Sequence, residues 1–365
     1  MREHFHVPKR YFLSHSVGCQ PRRTSDRLSA DYLDEWARLG GDAWPGWMDQ
    51  LEQFRTGLGK LLGAEASSIC PQANVSSALT KIIYSLEKPA KRRTILCTEE
   101  DFPTIGFVLK QAERSGFALR FVEGDVTDPA AWANAIDESV AFVHVTHAYS
   151  NTSRLSPVAD ICRLAKTAGA TSIIDIAQSV GIVPIDLSKW GADFVIGTGV
   201  KFLCFGPGAC FLHAATHIID GTRPVDVGWF SHENPFEMDI HHFQYASDSM
   251  RFFGGTPSPA PLIAANAALE IWNTIGLAEV RDHAQGVIDA VVAKIPESWL
   301  VSPRDRQHRG GTIVINPPER ARFRDALSQT AIRCDERKEG FRFSVHGYTS
   351  AQDIEALVSA LASAQ

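Results

Sequence analysis

The feature that most restricts the fold of this chain is an alternation of short apolar segments and longer amphipathic ones between residues 94 and 175. Predicted strands cover residues 94–97, 118–122, 140–146 and 172–175, and predicted helices cover residues 104–115, 129–136 and 158–168. Strands that alternate with helices form a parallel or mixed sheet with helices on both faces. The sequence therefore predicts an α/β fold whose functional side chains collect at the carboxyl ends of the strands.

The C-terminal third of the chain predicts a second, smaller unit. A length of 365 residues is enough for one large domain and one smaller one. The proline-rich stretch 254–261 is predicted to be a hinge. Beyond it the pattern predicts helices at 262–274 and 277–294, then strands at 312–315, 332–334 and 341–344 with helices at 319–330 and 351–361. We predict a large domain over 46–256 and a small α+β domain formed by 1–45 and 257–365.

Composition and charge restrict the partners and the compartment that are expected. A net charge of −6 without a basic stripe argues against nucleic acid as a partner. No apolar run approaches the roughly 18 residues that a membrane-spanning helix needs. Seven cysteines without CxxC spacing indicate free thiols in a reducing compartment. Because the polar N-terminus also lacks the apolar core of a signal peptide, a cytoplasmic protein is expected.

The histidines do not predict a metal site. His144 and His147 fall on opposite faces of a predicted strand, and no third ligand is close in the sequence. His241 and His242 are interpreted as neighbouring residues of a loop. We therefore predict no metal ion.

Lys201 is the strongest candidate for a reactive group. It follows a predicted buried strand at 194–196 and lies between glycines at 197, 199, 206 and 208. Glycines let the backbone approach a ligand closely, and desolvation in a cleft would depress the pKa of the lysine and free its lone pair. An ordinary loop lysine beside a turn is the alternative.

Asp175 gives this lysine a possible functional partner. It ends an apolar strand 26 residues before Lys201, so one strand–connection–strand unit can bring the two residues side by side. A buried carboxylate needs a cation or strong donors. A lysine facing an aspartate is the arrangement that pyridoxal phosphate (PLP) needs, because the lysine binds the cofactor covalently and the aspartate holds its ring nitrogen protonated. A helix cap or turn aspartate remains the alternative.

Two further segments supply what a PLP site requires. Residues 71–77 include Ala73 and Asn74 and lead into a predicted helix, whose free N–H groups and dipole favour a phosphate. Phe102 follows the next predicted strand, where an aromatic ring can stack on the cofactor. Taken alone, Asn74 is equally consistent with a helix cap and Phe102 with a core aromatic.

The order of several motifs resembles the class V branch of the fold-type I PLP enzymes, and most closely the kynureninase family. The motifs are Asp175-x-x-Gln178, the Lys201 loop, Val227-Gly-Trp229-Phe-Ser-His232, Arg251-Phe-Phe-Gly-Gly-Thr256-Pro and Gly340-Phe-Arg342-Phe-Ser. The segment 11–18 also resembles the opening segment of that family, which helps to enclose the substrate. The resemblance covers most of the chain and implies a large PLP-binding domain with a smaller α+β domain.

The resemblance also implies a role for individual residues. Lys201 would bind PLP covalently and carry protons, and Asp175 would pair with the ring nitrogen. Arg342 would bind the α-carboxylate of a small amino-acid substrate, a task that suits a planar bidentate fork. Phe102 would stack on the ring, Ala73 (through its N–H) and Asn74 would bind the phosphate, and Gln178 would hydrogen-bond the cofactor. Trp229 and Thr256 would reach the phosphate from a partner subunit, so a homodimer with active sites at the interface is implied.

Two positions depart from the kynureninase pattern. Val200 stands immediately before the lysine, where that family has a tyrosine that binds phosphate and takes part in proton transfer. Gln178 replaces a histidine and resembles the form found in cysteine desulfurases. Cys334 lies in a predicted strand without the loop that carries the desulfurase nucleophile, and is interpreted as a core cysteine.

We expect hydrolytic Cβ–Cγ cleavage of a 3-acyl-alanine, as in kynureninase. The alternatives are a class V aminotransferase or a β-lyase of the desulfurase kind acting on another amino acid. A non-catalytic PLP-binding homologue is a further alternative, which the loss of tyrosine at position 200 favours and the retention of Lys201, Asp175 and Arg342 opposes.

Overall fold

The alternating segments fold into a central seven-stranded sheet in the computed structural model, which describes residues 1–364. Within these residues the strands are β1 (Phe5–His6), β2 (Gln20–Pro21), β3 (Ile69–Gln72), β4 (Thr94–Cys97), β5 (Ala118–Phe121), β6 (Val140–Thr146), β7 (Thr171–Asp175), β8 (Phe194–Thr198), β9 (Cys210–Ala214), β10 (Thr312–Ile315), β11 (Asp335–Glu336) and β12 (Phe341–Ser344). The α-helices are α1 (Thr24–Leu28), α2 (Glu35–Leu39), α3 (Trp44–Leu62), α4 (Val75–Ile83), α5 (Pro103–Ala112), α6 (Pro129–Ala135), α7 (Val158–Ala168), α8 (Thr216–Ile219), α9 (Pro259–Ile275), α10 (Leu277–Val292), α11 (Arg320–Gln329) and α12 (Ala351–Ala364).

The order of the central sheet is β3-β9-β8-β7-β6-β4-β5. Strands β8, β7, β6, β4 and β5 are mutually parallel, whereas β9 runs antiparallel to both of its neighbours, β8 and β3. The predicted α/β fold with a mainly parallel sheet is therefore confirmed. The parallel strands place their carboxyl ends at one edge, where β7 ends at Asp175 and β8 leads into the Lys201 loop.

Helices cover both faces of this sheet because the strand residues are apolar on both sides. Ile173 and Ile174 are fully buried neighbours that belong to different core clusters, as expected for the two-residue period of a strand. Helices α4 and α5 pack on one face, whereas α6 and α7 pack on the other. A sheet buried on both faces fixes the strand ends firmly, which is what positions the candidate site.

A smaller antiparallel sheet, in the order β10-β12-β11, forms the C-terminal unit. The N-terminal segment packs against it: Phe12 contacts Phe343 edge to face, and the Ser344 N–H donates to the carbonyl of Phe12 at 2.9 Å. This packing supports the division into a large domain over 46–256 and a small domain of 1–45 with 257–365, which we retain as a proposal. No helix in the described range is both long and apolar enough to cross a membrane.

Several elements differ from those expected. The predicted strand at 332–334 forms instead at Asp335–Glu336. Strand β9 was not predicted, because Gly206-Pro207-Gly208 directly before it indicates a loop. The elements that differ are short strands, in which tertiary contacts rather than the local periodicity of the sequence determine the structure.

Candidate active site

Adjacent parallel strands bring Asp175 and Lys201 to one cavity. Asp175 is the last residue of β7 and is paired with Ile196 of β8, and Lys201 follows three residues after β8 ends at Thr198. Both side chains line a cavity of about 240 Å³ at the carboxyl edge of the sheet. The predicted residues Asn74, Phe102 and Gln178 line the same cavity. Five of the candidate residues are thus neighbours in space although they span residues 74–201.

The backbone of the lysine loop is held from outside the central sheet. The carbonyls of Val200, Phe202 and Leu203 accept hydrogen bonds at 2.7, 2.8 and 2.7 Å. The donors are the Gly18 N–H, His346 Nε2 and Trp272 Nε1. Gly18 is required by close approach, since a Cβ there would lie 2.0 Å from the carbonyl oxygen of Lys201. All three donors belong to the proposed small domain, so both domains shape this loop.

Asp175 is a buried carboxylate that accepts few hydrogen bonds. Among residues 1–364 it accepts one hydrogen bond, from the Ala177 N–H to Oδ1 at 2.7 Å. Burial raises the pKa of Asp175, whereas His144, the Ala177 N–H and Lys201 act in the opposite direction. A buried carboxylate of this kind gains from a cationic partner in the cavity. A protonated ring nitrogen is such a partner.

A second buried network lies next to Asp175. Asp101 accepts hydrogen bonds from the Thr98 N–H at 2.9 Å and from Thr146 Oγ1 at 2.7 Å, and its other contact is His144 Nδ1 at 3.3 Å. Burial disfavours the protonated form of His144, but the carboxylate of Asp101 favours that form more strongly, so the pKa of His144 is raised. The sequence drew attention to His144 only as a possible metal ligand. Its position in β6, beside β7, makes it instead a neighbour whose protonated form lowers the pKa of Asp175.

Lys201 has the environment expected of a nucleophilic amine. Burial lowers its pKa, and the positive charge of Arg342 adds to this, although Asp175 partly compensates. Its Nζ lies 5.5 Å from the centroid of the Phe102 ring, and Phe102 as a residue is 40% exposed. The lysine and a free aromatic face therefore border one space, in which a planar ring can be stacked and bound covalently.

The start of helix α4 supplies an anion site at the cavity. Asn74 caps this helix, its Oδ1 accepting from the Ser77 N–H at 2.8 Å and from Ser76 Oγ at 2.6 Å. Val75 and Ser76 also line the cavity. Because the first N–H groups of a helix lack intrahelical acceptors, this end of α4 suits a phosphate.

Three of the predicted cofactor-binding residues lie outside this cavity. Ala73 and Thr256 border a separate cavity of about 320 Å³ on the other side of the first turn of α4. Trp229 lines neither of the two cavities, but its Nε1 donates to Thr256 Oγ1 at 3.3 Å. Within one chain, therefore, Trp229 and Thr256 contact each other, but neither lines the cavity that contains Lys201. Their cofactor role stays a prediction that depends on a partner subunit.

Arg342 lies behind the cavity wall and is 3% exposed. Its Nε and Nη2 form a bidentate ion pair with Asp335, and its Nη1 donates at 2.9 Å to the carbonyl of Ser150, which lines the cavity. Arginine has five N–H donors, so two remain for a further carboxylate. Arg342 therefore lies close to the cavity, but its guanidinium group is paired with Asp335 of the same chain.

Asp335 is a site residue that the sequence interpretation missed. It accepts from Arg342 and contacts His15 Nε2 at 2.9 Å. Although partial burial opposes them, these partners hold the pKa of Asp335 well below its usual range. The signal was available: strands β11 and β12 place Asp335 directly opposite Arg342, and oppositely charged residues often occupy such pairs. The strand had been predicted three residues too early.

Comparison with known proteins shows the family to which this chain belongs. The sequence profile of the aminotransferase class-V family matches residues 11–357. A kynureninase from Deinococcus radiodurans is 29% identical over 338 residues, covering 88% of this chain and 81% of the relative. A kynureninase from Pseudomonas fluorescens is 26% identical, covering 93% and 85%. An uncharacterised aminotransferase from Bacillus subtilis is 25% identical, covering 92% and 89%.

Solved structures show the same fold. A variant of C-DES with glycine covalently linked to its PLP cofactor superposes with a TM-score of 0.87 at 21% identity over 99% of both chains. A cysteine desulfurase from Thermococcus onnurineus superposes with a TM-score of 0.84 at 21% identity, covering 96% of this chain and 93% of the other. Fold and cavity together define a PLP-dependent enzyme of fold type I. The chain belongs to the aminotransferase class-V family.

The side chains around the cavity fit the PLP cofactor of this family. The fit rests on the poorly compensated carboxylate of Asp175, the open face of Phe102 and the free N–H groups at the start of α4. The amine with a lowered pKa, Lys201, lies on the same wall. These are the four kinds of group that a pyridine ring with an aldehyde and a phosphate requires.

Proposed function

We propose that this protein cleaves the Cβ–Cγ bond of a 3-acyl-alanine hydrolytically, as kynureninase does. The observation that carries the proposal is the likeness to kynureninases over about nine-tenths of the chain. The cavity geometry supports it, because an amine, a carboxylate and an aromatic face border one space with an arginine behind its wall. We also propose the residue roles that follow.

The residues divide the work between binding and proton transfer. Lys201 Nζ holds the cofactor and then accepts the proton from the substrate α-carbon, for which its lowered pKa is suited. Asp175 keeps a negative charge beside the ring nitrogen, and Phe102 fixes the ring plane. Arg342 binds the α-carboxylate through the donors that Asp335 and Ser150 leave free. When bound, PLP supplies the electron sink for charge that develops on the substrate.

The thiols give little support to the desulfurase alternative. Cys334 is partly buried, and burial raises its pKa to about 12. Cys210 lines the cavity, but its Sγ contacts Thr198 Oγ1 at 3.1 Å, and burial raises its pKa as well. A desulfurase nucleophile needs a thiolate on a mobile segment. Neither cysteine offers one.

Amino transfer is the second candidate, and Val200 is the observation that favours it. A valine before the lysine cannot donate or accept a proton, so Lys201 is left to handle protons at this point of the site. Amino transfer needs one group that moves a proton between two carbons. The aminotransferase from Bacillus subtilis among the relatives is consistent with this alternative.

We also propose that the protein acts as a homodimer with active sites at the interface. Apolar side chains are exposed around Trp229, with Phe236, Met238 and Ile240 at 57%, 71% and 91% exposure. Such a patch is typical of a surface that another subunit covers. A second chain in that position would bring Trp229 and Thr256 to the cofactor of the first.

Incubation of the purified enzyme with kynurenine tests the reaction. We expect equimolar anthranilate and alanine by mass spectrometry, since addition of water across the cleaved bond yields both. A keto acid in place of alanine would instead establish amino transfer. A cofactor absorbance spectrum that stays unchanged with kynurenine and with a panel of amino acids would contradict an enzymatic role altogether.

Replacing Arg342 by lysine should raise KM more than it lowers kcat. A lysine cannot form the fork that pairs with Asp335 and the substrate carboxylate together. Loss of a charge-assisted bond costs about 1.5–3 kcal/mol, which corresponds to a roughly 10- to 100-fold increase in KM. Steady-state kinetics measure this. Arg337→Lys, on an exposed neighbour of Asp335, is the matched control and should leave KM unchanged. Equal KM values for both variants would remove Arg342 from substrate binding.

A further inference from the structure

The loop that follows Trp229 gathers three side chains of metal-binding type. It is closed at its base by a bridge between His232 and Tyr245 and by a hydrogen bond from the Glu233 N–H to the Gln244 carbonyl at 2.9 Å. Within it the ligand atoms of His232, Glu237 and His242 all lie within 4.8 Å of one another. None of the three takes part in the candidate active site. The sequence did not indicate this cluster, because a spacing of five residues matches neither a helix nor a strand.

The contacts of His232 fix which of its nitrogens is free. Its Nδ1 lies 2.7 Å from the carbonyl oxygen of Gln244 and 3.1 Å from the N–H of the same residue. The Gln244 N–H can donate to a bare Nδ1, whereas the carbonyl oxygen requires a protonated one; we assign the proton to Nδ1 because the contact with the oxygen is the shorter of the two. In the neutral ring the lone pair is then on Nε2. Metal-binding histidines show this same arrangement, with the second nitrogen donating to a carbonyl or carboxylate.

The Nε2 lone pair points at a second acceptor. His232 Nε2 lies 2.9 Å from Glu237 Oε2, and the other oxygen of the same carboxylate lies 2.7 Å from His242 Nδ1. Because two acceptors repel, a proton or a cation must be placed between the His232 ring and the carboxylate. Two imidazole nitrogens and one carboxylate are a ligand set that Zn²⁺ and similar ions prefer.

Access to this cluster is open on one side. The side chain of His232 is 10% exposed, that of Glu237 31% and that of His242 57%. In the single chain an ion can therefore enter from the surface before a second subunit covers the neighbouring apolar patch, and water or another ligand can complete its coordination.

We propose that His232 Nε2, Glu237 and His242 Nδ1 form a binding site for a divalent transition-metal ion of the zinc type. The ion replaces protons that otherwise link the rings to the carboxylate. It ties together residues 232–242, a segment in which the Phe236 ring packs on Trp229 with centroids 5.5 Å apart. Its expected role is structural, since it fastens the loop beside Trp229 and Thr256. The proposal does not depend on the reaction that the enzyme catalyses.

Zinc titration of chelator-treated, metal-free holoenzyme by calorimetry tests the site. We expect one ion per chain and a higher thermal midpoint of unfolding with zinc. Removal of a residue that only orients a ligand weakens metal binding by about 10- to 100-fold, so His242→Ala and Glu237→Gln, which remove a ligand, should weaken it at least as much. His241→Ala is the matched control: it removes the adjacent histidine, which is outside the cluster, and should bind zinc like the parent.

Two outcomes would overturn the proposal. One is parental zinc affinity in both His242→Ala and Glu237→Gln, and the other is no binding by the parent at about 100-fold the protein concentration. Cobalt(II) absorbance provides an independent measurement. A spectrum with thiolate charge-transfer bands would place the metal on cysteine and reject this site, whereas nitrogen and oxygen coordination that is lost in His242→Ala would support it. Circular dichroism confirms that the variants are folded.

Discussion

Lys201→Ala should leave the protein without covalently held PLP and without measurable turnover. The alanine cannot bond to the cofactor aldehyde, and no other amine lines the cavity within the described residues. Borohydride reduction followed by peptide mass spectrometry measures the attachment: the parent should carry the cofactor mass on the peptide that contains residue 201. Loss of the group that both binds the cofactor and moves the proton should lower kcat by at least about 10⁴-fold, beyond the roughly 10²–10⁴ that a general base alone contributes.

Two further variants make this result specific. Lys201→Arg keeps the positive charge but cannot form the covalent bond, so it should fail in the same way. Lys88 is the matched control, since burial lowers its pKa to about 8 and its Nζ donates to Thr171 Oγ1 at the opposite end of β7. Lys88→Met should retain the cofactor mass on the residue-201 peptide. A cofactor that stays covalently bound in Lys201→Ala would refute the assignment of the lysine.

Asp175→Asn should retain the cofactor but lose most of the activity. The amide has nearly the shape of the carboxylate and can still accept from Ala177, yet it cannot hold a ring nitrogen protonated. Removing one preorganised electrostatic group from an active site typically costs about 10²–10³-fold in kcat. We expect a loss of at least this size in the turnover number. We also expect a change in the absorbance spectrum of the bound cofactor, because the protonation of its ring is altered.

Asp193 provides the control for this second variant. Its Oδ2 accepts a hydrogen bond from the Ser172 N–H at 2.8 Å, so it is bonded to β7, the strand that also contains Asp175. Ser172 is three residues from Asp175, which separates the two carboxylates by about 10 Å along the strand. Asp193→Asn should therefore leave kcat and the cofactor spectrum unchanged. If both variants lost activity equally, the effect of Asp175→Asn would have to be assigned to the stability of the strand.

The sequence predicted most of the large domain because its signals are local. Strands β4, β6 and β7 are short apolar segments, and the helices between them show the helical period of apolar residues. This alternation of strands and helices predicts a parallel sheet. The rule that sites lie at strand carboxyl ends predicts the grouping of Phe102, Asp175 and Lys201, which line one cavity. The PLP cofactor and the aminotransferase class-V family were predicted as well and are confirmed.

The remaining parts depend on contacts that no local pattern records. Asp335 pairs with the guanidinium group of Arg342 because strands β11 and β12 lie side by side, and the first of these strands was predicted three residues too early. His144 acts on Asp175 through a neighbouring strand, at a distance in sequence of 31 residues. Trp229 and Thr256 meet each other but not Lys201, and their predicted role requires a second chain.

The hydrogen bonds that hold the lysine loop have a consequence for biosynthesis. The donors are residues 18, 272 and 346, and two of them follow the last strand of the central sheet, which ends at Ala214. A nascent chain that already contains the whole central sheet still lacks two of the three supports of Lys201. Stable capture of the cofactor is therefore expected only after residue 346 has been synthesised and folded, and fragments that end near residue 256 should not hold PLP covalently.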